Sequence, residues 1–374
     1  MRYARQRVLP EISDAGQAAL AAARILVVGA GGLGSPALLY LTAAGAGLKE
    51  AGGCLGIIDD DTVDLSNLQR QILFTESDQA QSKAKTAADR LQRLNSATDL
   101  RTFETRLTTD NILNVFADFD IIVDGSDNFD TKYLINDAAV HLGLPVIYGS
   151  ILGFEGQAAV FWAKEGPCYR CVYPQPPETH IPNCAEAGTL GGIAGMVGSI
   201  QAVEACKLAL GLEHCRTHDL EPLIGQLFLA DARNWDTQTL AVEKRADCPV
   251  CSLPAHEVRL PQARAQACAD STSPQAATMT LNDLQGLFES GIPFVLLDVR
   301  EPQEWANGHL EGALHIPLGR LLVAPETLDA LNRQEPLVVY CQHGMRSARA
   351  VSYLRDQGFD AFNLIVDWSQ LHEL

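Results

Sequence analysis

The chain has 374 residues, 47% of them hydrophobic and 20% charged, and its net charge at pH 7 is −18. This length exceeds one ordinary hydrophobic core and predicts two domains, and the composition is that of a folded globular protein. The strong negative charge argues against a protein that follows nucleic-acid phosphates, so we expect no nucleic-acid partner.

The N-terminal segment and the cysteine content predict a cytoplasmic protein without membrane association. The opening "MRYARQRVLPEISDAG" lacks the apolar segment of a secretory signal. Residues 25–48 are uncharged and could span a membrane by length, but five glycines up to Gly45 and also Pro36 interrupt them. Ten cysteines in such a chain favour a reducing compartment with metal-bound or catalytic thiols over a disulfide scaffold.

Strand and helix patterns alternate through the first two thirds of the chain. "RILVVGAGGLG" predicts a strand that enters a glycine turn, and "SPALLYLTAAGAG" continues as a helix; the strand "CLGIIDDD" and the helix "KAKTAADRLQRLN" come next. "LRTFETRL" alternates like a strand, and "FDIIVDGSDN" ends another strand in acidic residues. Two strands in "PVIYGSILGFEGQAAVFW", the helix "GSIQAVEACKLALG" and a hairpin in "GQLFLADARNWDTQTLAVEK" follow. This order predicts an α/β domain with a Rossmann-like, doubly wound, mostly parallel sheet.

The composition changes near residue 255. Residues 255–278 are rich in Ala, Gln, Ser and Pro and lack an apolar period, which predicts a linker. The helix "LNDLQGLFES", the strands "PFVLLDVR" and "EPLVVYC" and the helix "SARAVSYLRDQGF" follow. We therefore predict one domain at 1–254 and a second, smaller α/β domain at 279–374.

The segment "GAGGLG" predicts a nucleotide site. It places Gly29, Gly31 and Gly34 directly after a strand, where glycines let the backbone approach phosphates at a helix N-terminus. Asp59 ends the next strand, where a carboxylate can bind ribose hydroxyls. This pattern alone fits an NAD-dependent dehydrogenase equally well.

The polar residues that follow favour a triphosphate. "DTVDLSNLQRQ" carries Ser66, Asn67 and Arg70, and Lys83 begins the next helix. An arginine and a lysine at this place suit a triphosphate whose α-phosphate is attacked. Asp127 follows another strand and could hold Mg²⁺ across phosphate oxygens. The alternative is that Arg70 and Lys83 are solvated surface charges.

Two C-x-x-C pairs predict a structural zinc site. "CYRC" and "CPVC" supply Cys168, Cys171, Cys248 and Cys251, and four thiolates complete a tetrahedral Zn²⁺ shell without a place for water. The long separation means that the metal would tie the chain after the sheet to the end of the domain. The alternative is that one pair is a redox dithiol.

A further cysteine, Cys341, begins "CQHGMRS" after the strand "EPLVVY". Backbone N–H groups of a strand-to-helix turn stabilise an anionic sulfur, and Arg346 adds a positive charge. The alternative is a buried cysteine that packs as a small hydrophobic side chain.

Together these motifs resemble a known family. "RYARQ", "GAGGLGS", "DDDTVDLSNLQRQ", "DGSDN", "EGQAAVF", "CYRC" and "CPVC" resemble the ThiF/MoeB/HesA group of ubiquitin-activating-enzyme-like adenylyltransferases over about residues 1–253. "LLDVREPQEWANGHLEGALHIPL" with "CQHGMRS" resembles a rhodanese domain over about 279–374. The combination resembles the adenylyltransferase–sulfurtransferase fusions that serve molybdopterin synthase and related sulfur carriers.

The resemblance implies roles for the matching positions. In a homodimer, Arg5 would reach the nucleotide of the other subunit. Cys184 would lie on a loop near the adenylate and form a thioester or an acyl-disulfide, and Cys341 would carry a persulfide. The positions that would bind ATP and Mg²⁺ are Gly32, Asp59, Ser66, Asn67, Arg70, Lys83, Asp127 and Asn128. The positions that match the rhodanese signature, interpreted as a structural ion-pair network, are Asp298, Arg300, Glu304 and His309.

The resulting hypothesis is ATP-dependent adenylation of a small ubiquitin-like sulfur carrier that ends in Gly-Gly, followed by sulfur transfer to its C-terminus. The persulfide donor would be a cysteine desulfurase or thiosulfate, and the pathway molybdopterin synthesis, thiamine synthesis or tRNA thiolation. One alternative is an NAD-dependent dehydrogenase fused to a thiosulfate sulfurtransferase, which leaves Arg70, Lys83 and the cysteine pairs without a role. The other is a non-catalytic scaffold that recruits partners through its acidic surface.

Overall fold

The computed structural model describes residues 2–176, 188–261 and 278–366, apart from 292, 301, 307, 324–326, 329, 330, 334, 342 and 343. The chain divides into two compact units, Met1–Gln266 and Ala267–Leu374. Most of the predicted linker lies outside the described residues, and so does Cys184.

The first unit is built on an eight-stranded sheet with the strand order β3-β2-β1-β4-β5-β6-β7-β8. Its strands are β1 (Arg24–Val28), β2 (Cys54–Ile58), β3 (Leu100–Phe103), β4 (Ile121–Asp124), β5 (Val146–Leu152), β6 (Glu155–Phe161), β7 (Gln226–Asp231) and β8 (Asp236–Ala241). Strands β1 to β5 are parallel, whereas β6, β7 and β8 are added antiparallel. The predicted hairpin thus extends the same sheet.

Helices cover both faces of this sheet. They are α1 (Ala4–Arg7), α2 (Ser13–Ala22), α3 (Gly34–Ala44), α4 (Lys83–Leu94), α5 (Ile112–Phe116), α6 (Phe129–Leu142), α7 (Tyr169–Val172), α8 (Gly191–Leu210) and α9 (Leu212–Thr217). Short 3-10 turns occur at Lys49–Ala51, Leu65–Asn67, Glu76–Asp78 and Ala255–Glu257.

Alternate side chains of the central strands enter two separate cores. In β1, Ile25 and Val27 pack in the core that α3, α4 and α8 cover, and Leu26 and Val28 pack in the core that α5 and α6 cover. A strand buried on both faces must be apolar throughout, which explains the continuous apolar runs in the sequence. The predicted doubly wound α/β fold is confirmed.

Helix α8 could cross a membrane by length and composition alone. Half of its apolar window is nevertheless buried within this unit, where Ala202 and Ala205 pack into the core against the sheet. The helix therefore has the burial of a core helix.

The strand order identifies where a ligand can bind. From β1 the chain proceeds to β2 and β3 on one side, and β4 and β5 continue the sheet on the other side. The loops that leave the carboxyl ends of β1 and β4 consequently diverge to opposite faces and leave a crevice between them, which is the usual ligand site of an open α/β sheet.

The second unit has a parallel five-stranded sheet with the order β11-β10-β12-β13-β9. The strands are β9 (Thr278–Met279), β10 (Val295–Asp298), β11 (Leu314–His315), β12 (Leu337–Tyr340) and β13 (Ala361–Leu364). The helices are α10 (Leu281–Ser290), α11 (Pro302–Ala306), α12 (Leu318–Val323) and α13 (Met345–Asp356). Cys341 directly follows the central strand β12.

Candidate active sites

The glycine loop, residues 29–34 between β1 and α3, is shaped by close backbone contacts. A Cβ atom on Gly34 would lie 1.8 Å from the carbonyl oxygen of Gly29, so no other residue fits there. Gly29 itself has a φ of +86°, and a Cβ on it would lie 3.0 Å from the carbonyl oxygen of Gly125. The acidic loop, residues 125–128 after β4, therefore packs directly on the glycine loop.

Asp59 connects the end of β2 to the glycine loop. Its Oδ2 atom accepts a hydrogen bond of 2.8 Å from the backbone N–H of Ala30, and its Oδ1 atom accepts one of 2.9 Å from the N–H of Asp61. Burial raises the pKa of the Asp59 carboxyl, although the Lys83 ammonium and both backbone hydrogen bonds oppose that effect. Each carboxylate oxygen keeps a lone pair that can accept a hydrogen bond from a ribose hydroxyl.

Arg70 lies against the glycine loop. A Cβ on Gly32 would lie 3.4 Å from Cγ of Arg70, and the Arg70 Nη1 atom donates to the Ser66 carbonyl at 3.2 Å. The hydroxyl and backbone N–H of Ser66 both bond to Asp64, and the Asn67 amide donates to the Ser66 hydroxyl at 3.5 Å. The segment from Ser66 to Arg70 is thus held together by hydrogen bonds and contacts the glycine loop through Arg70.

Lys83 is buried, with 5% of its surface exposed, so it is not a solvated surface charge. Its Nζ atom lies 2.8 Å from a carboxylate oxygen of Asp61, which is itself well exposed. A buried ammonium near the end of β2 can contact an anion that enters the crevice by exchanging this partner.

The acidic loop presents Asp127 to solvent at the carboxyl end of β4. An exposed carboxylate is a suitable oxygen ligand for Mg²⁺, which also takes phosphate oxygens and water. Asn128 is the N-cap of α6, because its side chain accepts a hydrogen bond of 2.9 Å from the backbone N–H of Thr131. The structure therefore gives Asn128 a structural function at this place.

A buried ion pair between Lys132 and Asp124 stabilises the start of the acidic loop. The Lys132 Nζ atom lies 3.0 Å from Asp124 Oδ2 and 2.9 Å from the Gly149 carbonyl oxygen. The other carboxylate oxygen of Asp124 accepts hydrogen bonds from the backbone N–H and hydroxyl of Ser126. The backbone on the N-terminal side of Asp127 is thus fixed by groups that our sequence analysis did not identify.

The two cysteine pairs form one buried cluster, called the thiol cluster below: Cys168, Cys171, Cys248 and Cys251. Their sulfur atoms lie within 4.8 Å of one another; those of Cys171 and Cys251 are 3.4 Å apart, and those of Cys168 and Cys248 are 3.6 Å apart. A tetrahedral zinc with Zn–S bonds of about 2.3 Å holds its sulfurs about 3.8 Å apart. The residues present therefore fit a four-thiolate zinc site.

The charges in the thiol cluster also favour a cation. Hydrogen bonds from neighbouring thiols, Cys168 foremost, lower the pKa of Cys251 to about 5. The hydrogen bond to Cys251 and burial raise the pKa of Cys168, and burial raises that of Cys171 to about 11. The thiols alone thus stabilise one thiolate, whereas four thiolates at this spacing require a bound dication.

In the second unit, Cys341 is 1% exposed and lies at the junction of β12 and α13. Its sulfur accepts hydrogen bonds from the backbone N–H of Ser347 at 3.4 Å and from the Ser347 hydroxyl at 3.3 Å. Gly344, with a φ of +80°, turns the chain into the helix, whose first N–H groups have no partner within the helix. The helix N-terminus thus points a donor at the sulfur.

Arg346 points to a carboxylate. Its two terminal nitrogens lie 2.6 Å from the two carboxylate oxygens of Glu304 on α11. Arg300 forms a buried ion pair with Asp298, and the His309 ring stacks on Trp305 at 3.5 Å. Three of the four signature positions thus take part in structural ion pairs, and the fourth stacks.

The described residues leave two expected positions without a test. Arg5 is exposed on α1, and a role toward another subunit stays a prediction. Cys184 lies outside the described residues. Sequence reasoning missed Gly125, which only the contact with Gly29 reveals, and Ser347, which follows the "CQHGMR" loop in the sequence and could have been noted as a donor.

Comparisons with known proteins agree with this geometry. The ThiF family matches residues 3–250, and the rhodanese-like domain matches residues 280–373. The chain is similar to "Probable adenylyltransferase/sulfurtransferase MoeZ" of Mycobacterium tuberculosis (strain CDC 1551 / Oshkosh), with 40% identity over 99% of this chain and 92% of that protein. It is 38% identical to "Adenylyltransferase and sulfurtransferase MOCS3" of Mus musculus over 95% of this chain and 80% of that protein.

A shorter relative matches the first unit. "Sulfur carrier protein adenylyltransferase" of Thermus thermophilus is 44% identical over 67% of this chain and 90% of that protein. Among solved structures, E. coli MccB with ATP has a TM-score of 0.56 and 19% identity and covers 67% of this chain and 73% of its own. At that identity the likeness concerns the fold alone. The resemblance inferred from the motifs is confirmed.

Proposed function

The chain belongs to the ThiF family and carries a rhodanese-like domain in its C-terminal part, and on this premise we propose that it activates and sulfurates a small protein carrier. The enzyme adenylates the C-terminal glycine of a ubiquitin-like sulfur carrier with ATP and then converts that carboxylate to a thiocarboxylate. The observation that carries this proposal is the contact of Gly29 in the glycine loop with Gly125 in the acidic loop, the loop to which Asp127 belongs.

In the adenylation step, a carboxylate oxygen of the carrier attacks the α-phosphorus of ATP. A P–O bond forms, the bond to the β-phosphate oxygen breaks, and pyrophosphate leaves. The glycine loop holds the phosphates, Asp59 binds the ribose, and Arg70 and Lys83 balance the charge that develops on the phosphates. Mg²⁺, held by Asp127, would neutralise further phosphate charge. AMP is then a good leaving group on the activated carbonyl.

In the sulfur-transfer step, the outer sulfur of a persulfide on Cys341 attacks the acyl-adenylate and expels AMP. The product is an acyl-disulfide between the carrier and Cys341. A second thiol, which we assign to Cys184, attacks the Cys341 sulfur; the carrier leaves as a thiocarboxylate and the two cysteines form a disulfide. An external thiol then reduces that disulfide. Ser347 stabilises the anionic sulfur of Cys341 when that sulfur accepts the persulfide sulfur from the donor, and again when the disulfide is reduced.

We further propose that the thiol cluster holds structural zinc and that the enzyme works in the cytoplasm. We also propose that it is a homodimer in which Arg5 of one subunit reaches the nucleotide of the other. A reducing cytoplasm keeps four clustered thiols available for a metal. The persulfide sulfur comes from a cysteine desulfurase or from thiosulfate, and the carrier belongs to molybdopterin synthesis, thiamine synthesis or tRNA thiolation.

The experiment that tests this function is pyrophosphate exchange. Purified protein, ATP, Mg²⁺ and a carrier that ends in Gly-Gly should incorporate labelled pyrophosphate into ATP, and a carrier without its terminal glycine should not support the exchange. The same mixture with thiosulfate and a thiol reductant should yield carrier in which sulfur replaces one C-terminal oxygen. A protein that exchanges no pyrophosphate with carriers of all three pathways does not have this function.

Removing one thiol should unfold the first unit rather than slow the chemistry alone. We expect elemental analysis of wild type to give one zinc per chain, and Cys168→Ala to lose the metal and most soluble protein. Structural zinc contributes on the order of 10 kcal/mol to folding, more than the whole stability of many domains. The control is Cys206→Ala, which removes a thiol outside the thiol cluster and should keep both metal and solubility. Metal-free Cys168→Ala protein of normal thermal stability would contradict the structural role.

A further inference from the structure

The first cysteine pair is docked on helix α6 by a buried ion pair. Arg170, between Cys168 and Cys171, contacts both carboxylate oxygens of Asp137 at 2.8 Å and 2.7 Å. Asp137 is 1% exposed, and the guanidinium of Arg170 also lies 4.6 Å from the centre of the Tyr133 ring. Both Asp137 and Tyr133 belong to α6, so Arg170 fixes the position of the first cysteine pair relative to this helix.

A second contact fixes the same junction. The backbone N–H of Tyr169 donates to the Asn136 side chain at 2.8 Å, and the Asn136 amide in turn donates to Asp137 at 2.9 Å. Val140, one turn further along α6, packs in the same apolar cluster as the four cysteines. The thiol cluster and the second half of α6 are therefore one packed body.

The first half of α6 reaches the proposed nucleotide site. The helix begins immediately after the acidic loop, and Asn128 caps it. One turn later Lys132 forms an ion pair with Asp124, whose carboxylate accepts a hydrogen bond from the backbone N–H of Ser126. From Asn128 to Asp137 the helix rises about 14 Å, a distance over which an α-helix is a stiff rod. A shift of α6 at Asp137 must consequently displace the loop that carries Asp127.

We propose that Arg170 is a positioning residue for the nucleotide site and acts through Asp137 and α6 on the acidic loop. A buried ion pair can often be replaced by apolar residues without loss of stability. Folding alone therefore does not explain the charges of Arg170 and Asp137, whereas fixing the position of α6 does. The proposal rests on the proposed function, because it assigns the acidic loop to ATP and Mg²⁺. It makes the thiol cluster a support for nucleotide binding as well as for folding.

The test is ATP·Mg²⁺ affinity measured by calorimetry on zinc-loaded protein, with zinc content and thermal midpoint determined on the same samples. Arg170→Lys keeps the charge but loses the two-pronged contact, and Asp137→Asn keeps the shape but loses the charge. We expect each to weaken ATP·Mg²⁺ binding by about twofold to thirtyfold at full zinc content. A residue that serves folding alone would lower the thermal midpoint and leave the affinity of folded, zinc-loaded protein unchanged.

The matched control is Arg245→Lys. Arg245 forms an equally two-pronged pair with Asp247, at 3.0 Å and 2.8 Å, beside the second cysteine pair, but that pair is exposed. This variant should bind ATP·Mg²⁺ as wild type does. If Arg170→Lys does not fold, Arg170→Met combined with Asp137→Leu removes both charges together and should fold, bind zinc and bind ATP·Mg²⁺ weakly.

The inference would be overturned by wild-type affinity for ATP·Mg²⁺ in zinc-loaded Arg170→Lys, Asp137→Asn or the double variant. It would also be overturned if the affinity for ATP·Mg²⁺ fell only in proportion to lost zinc, or if Arg245→Lys weakened binding equally. Failure of the proposed function gives a different result, since wild type would then bind no ATP or exchange no pyrophosphate. Because calorimetry needs no carrier, the positioning role can fail while adenylation stands.

Discussion

Replacing Asp127 by alanine should reduce carrier-dependent pyrophosphate exchange by about 100- to 1,000-fold, the cost of removing one group that stabilises charge in a transition state. Asp127 is exposed at the carboxyl end of β4, beside the glycine loop, and the protein core does not depend on its side chain. The loss should therefore occur at unchanged thermal stability. Asp127→Asn keeps the size of the side chain and should be nearly as inactive, because an amide is a poor ligand for Mg²⁺.

The control for this prediction lies three residues away. Asp130 is also exposed, carries the same charge and belongs to the first turn of α6. Asp130→Ala should keep exchange within about twofold of wild type, because surface substitutions away from a site have small effects. Exchange by Asp127→Asn at the wild-type rate, or an equal loss in Asp130→Ala, would remove Asp127 from the reaction.

The elements of the first unit could be predicted because their signals are local. A buried strand followed by glycines and a helix is visible in "RILVVGAGGLGSPALL", and the same alternation continues through β5. The hairpin β7–β8 was also predicted, but its place at the edge of the large sheet depends on pairing between β6 and β7, which lie more than sixty residues apart. Such non-local pairing has no signature in a short window of sequence.

The candidate sites, like the fold, could be predicted where the signal is local and not where it depends on tertiary contacts. The four cysteines were expected to meet because thiolates at C-x-x-C spacing share a metal, and their sulfurs lie together. The Asp124–Lys132 pair and the contact of Gly29 with Gly125 were missed, because an isolated lysine in a helix or glycine in a loop gives no sign of its tertiary neighbour. Arg346 illustrates the opposite case: its charge is visible in the sequence, but its partner Glu304 lies on another helix.

The contact with Glu304 changes what stabilises the sulfur of Cys341. A guanidinium already paired with a carboxylate contributes little net charge to its surroundings, whereas the hydroxyl and N–H of Ser347 contact the sulfur directly. Arg346 and Glu304 instead connect α13 to α11. We therefore expect Ser347 to affect sulfur chemistry more directly than Arg346.

Replacing Cys341 by alanine should separate the two half-reactions. Pyrophosphate exchange should stay near wild type, because the residues that we propose for ATP binding belong to the first unit. Formation of carrier thiocarboxylate should stop, because no sulfur remains to carry the persulfide. Cys215→Ala is the control: Cys215 is another buried thiol, with a hydrogen bond to the Lys207 carbonyl, and its removal should leave both half-reactions intact. Mass spectrometry of the carrier reports the replacement of oxygen by sulfur.

Ser347→Ala refines the same prediction. It removes the hydroxyl donor at 3.3 Å and leaves the backbone N–H at 3.4 Å, so the sulfur anion loses one of its two described hydrogen bonds. A hydrogen bond to a charged group contributes about 1.5–3 kcal/mol, so thiocarboxylate formation should slow by about tenfold or more while pyrophosphate exchange is unchanged. Thiocarboxylate made by Cys341→Ala, with no other rhodanese present, would refute the persulfide role. A wild-type rate in Ser347→Ala would contradict a role for the Ser347 hydroxyl.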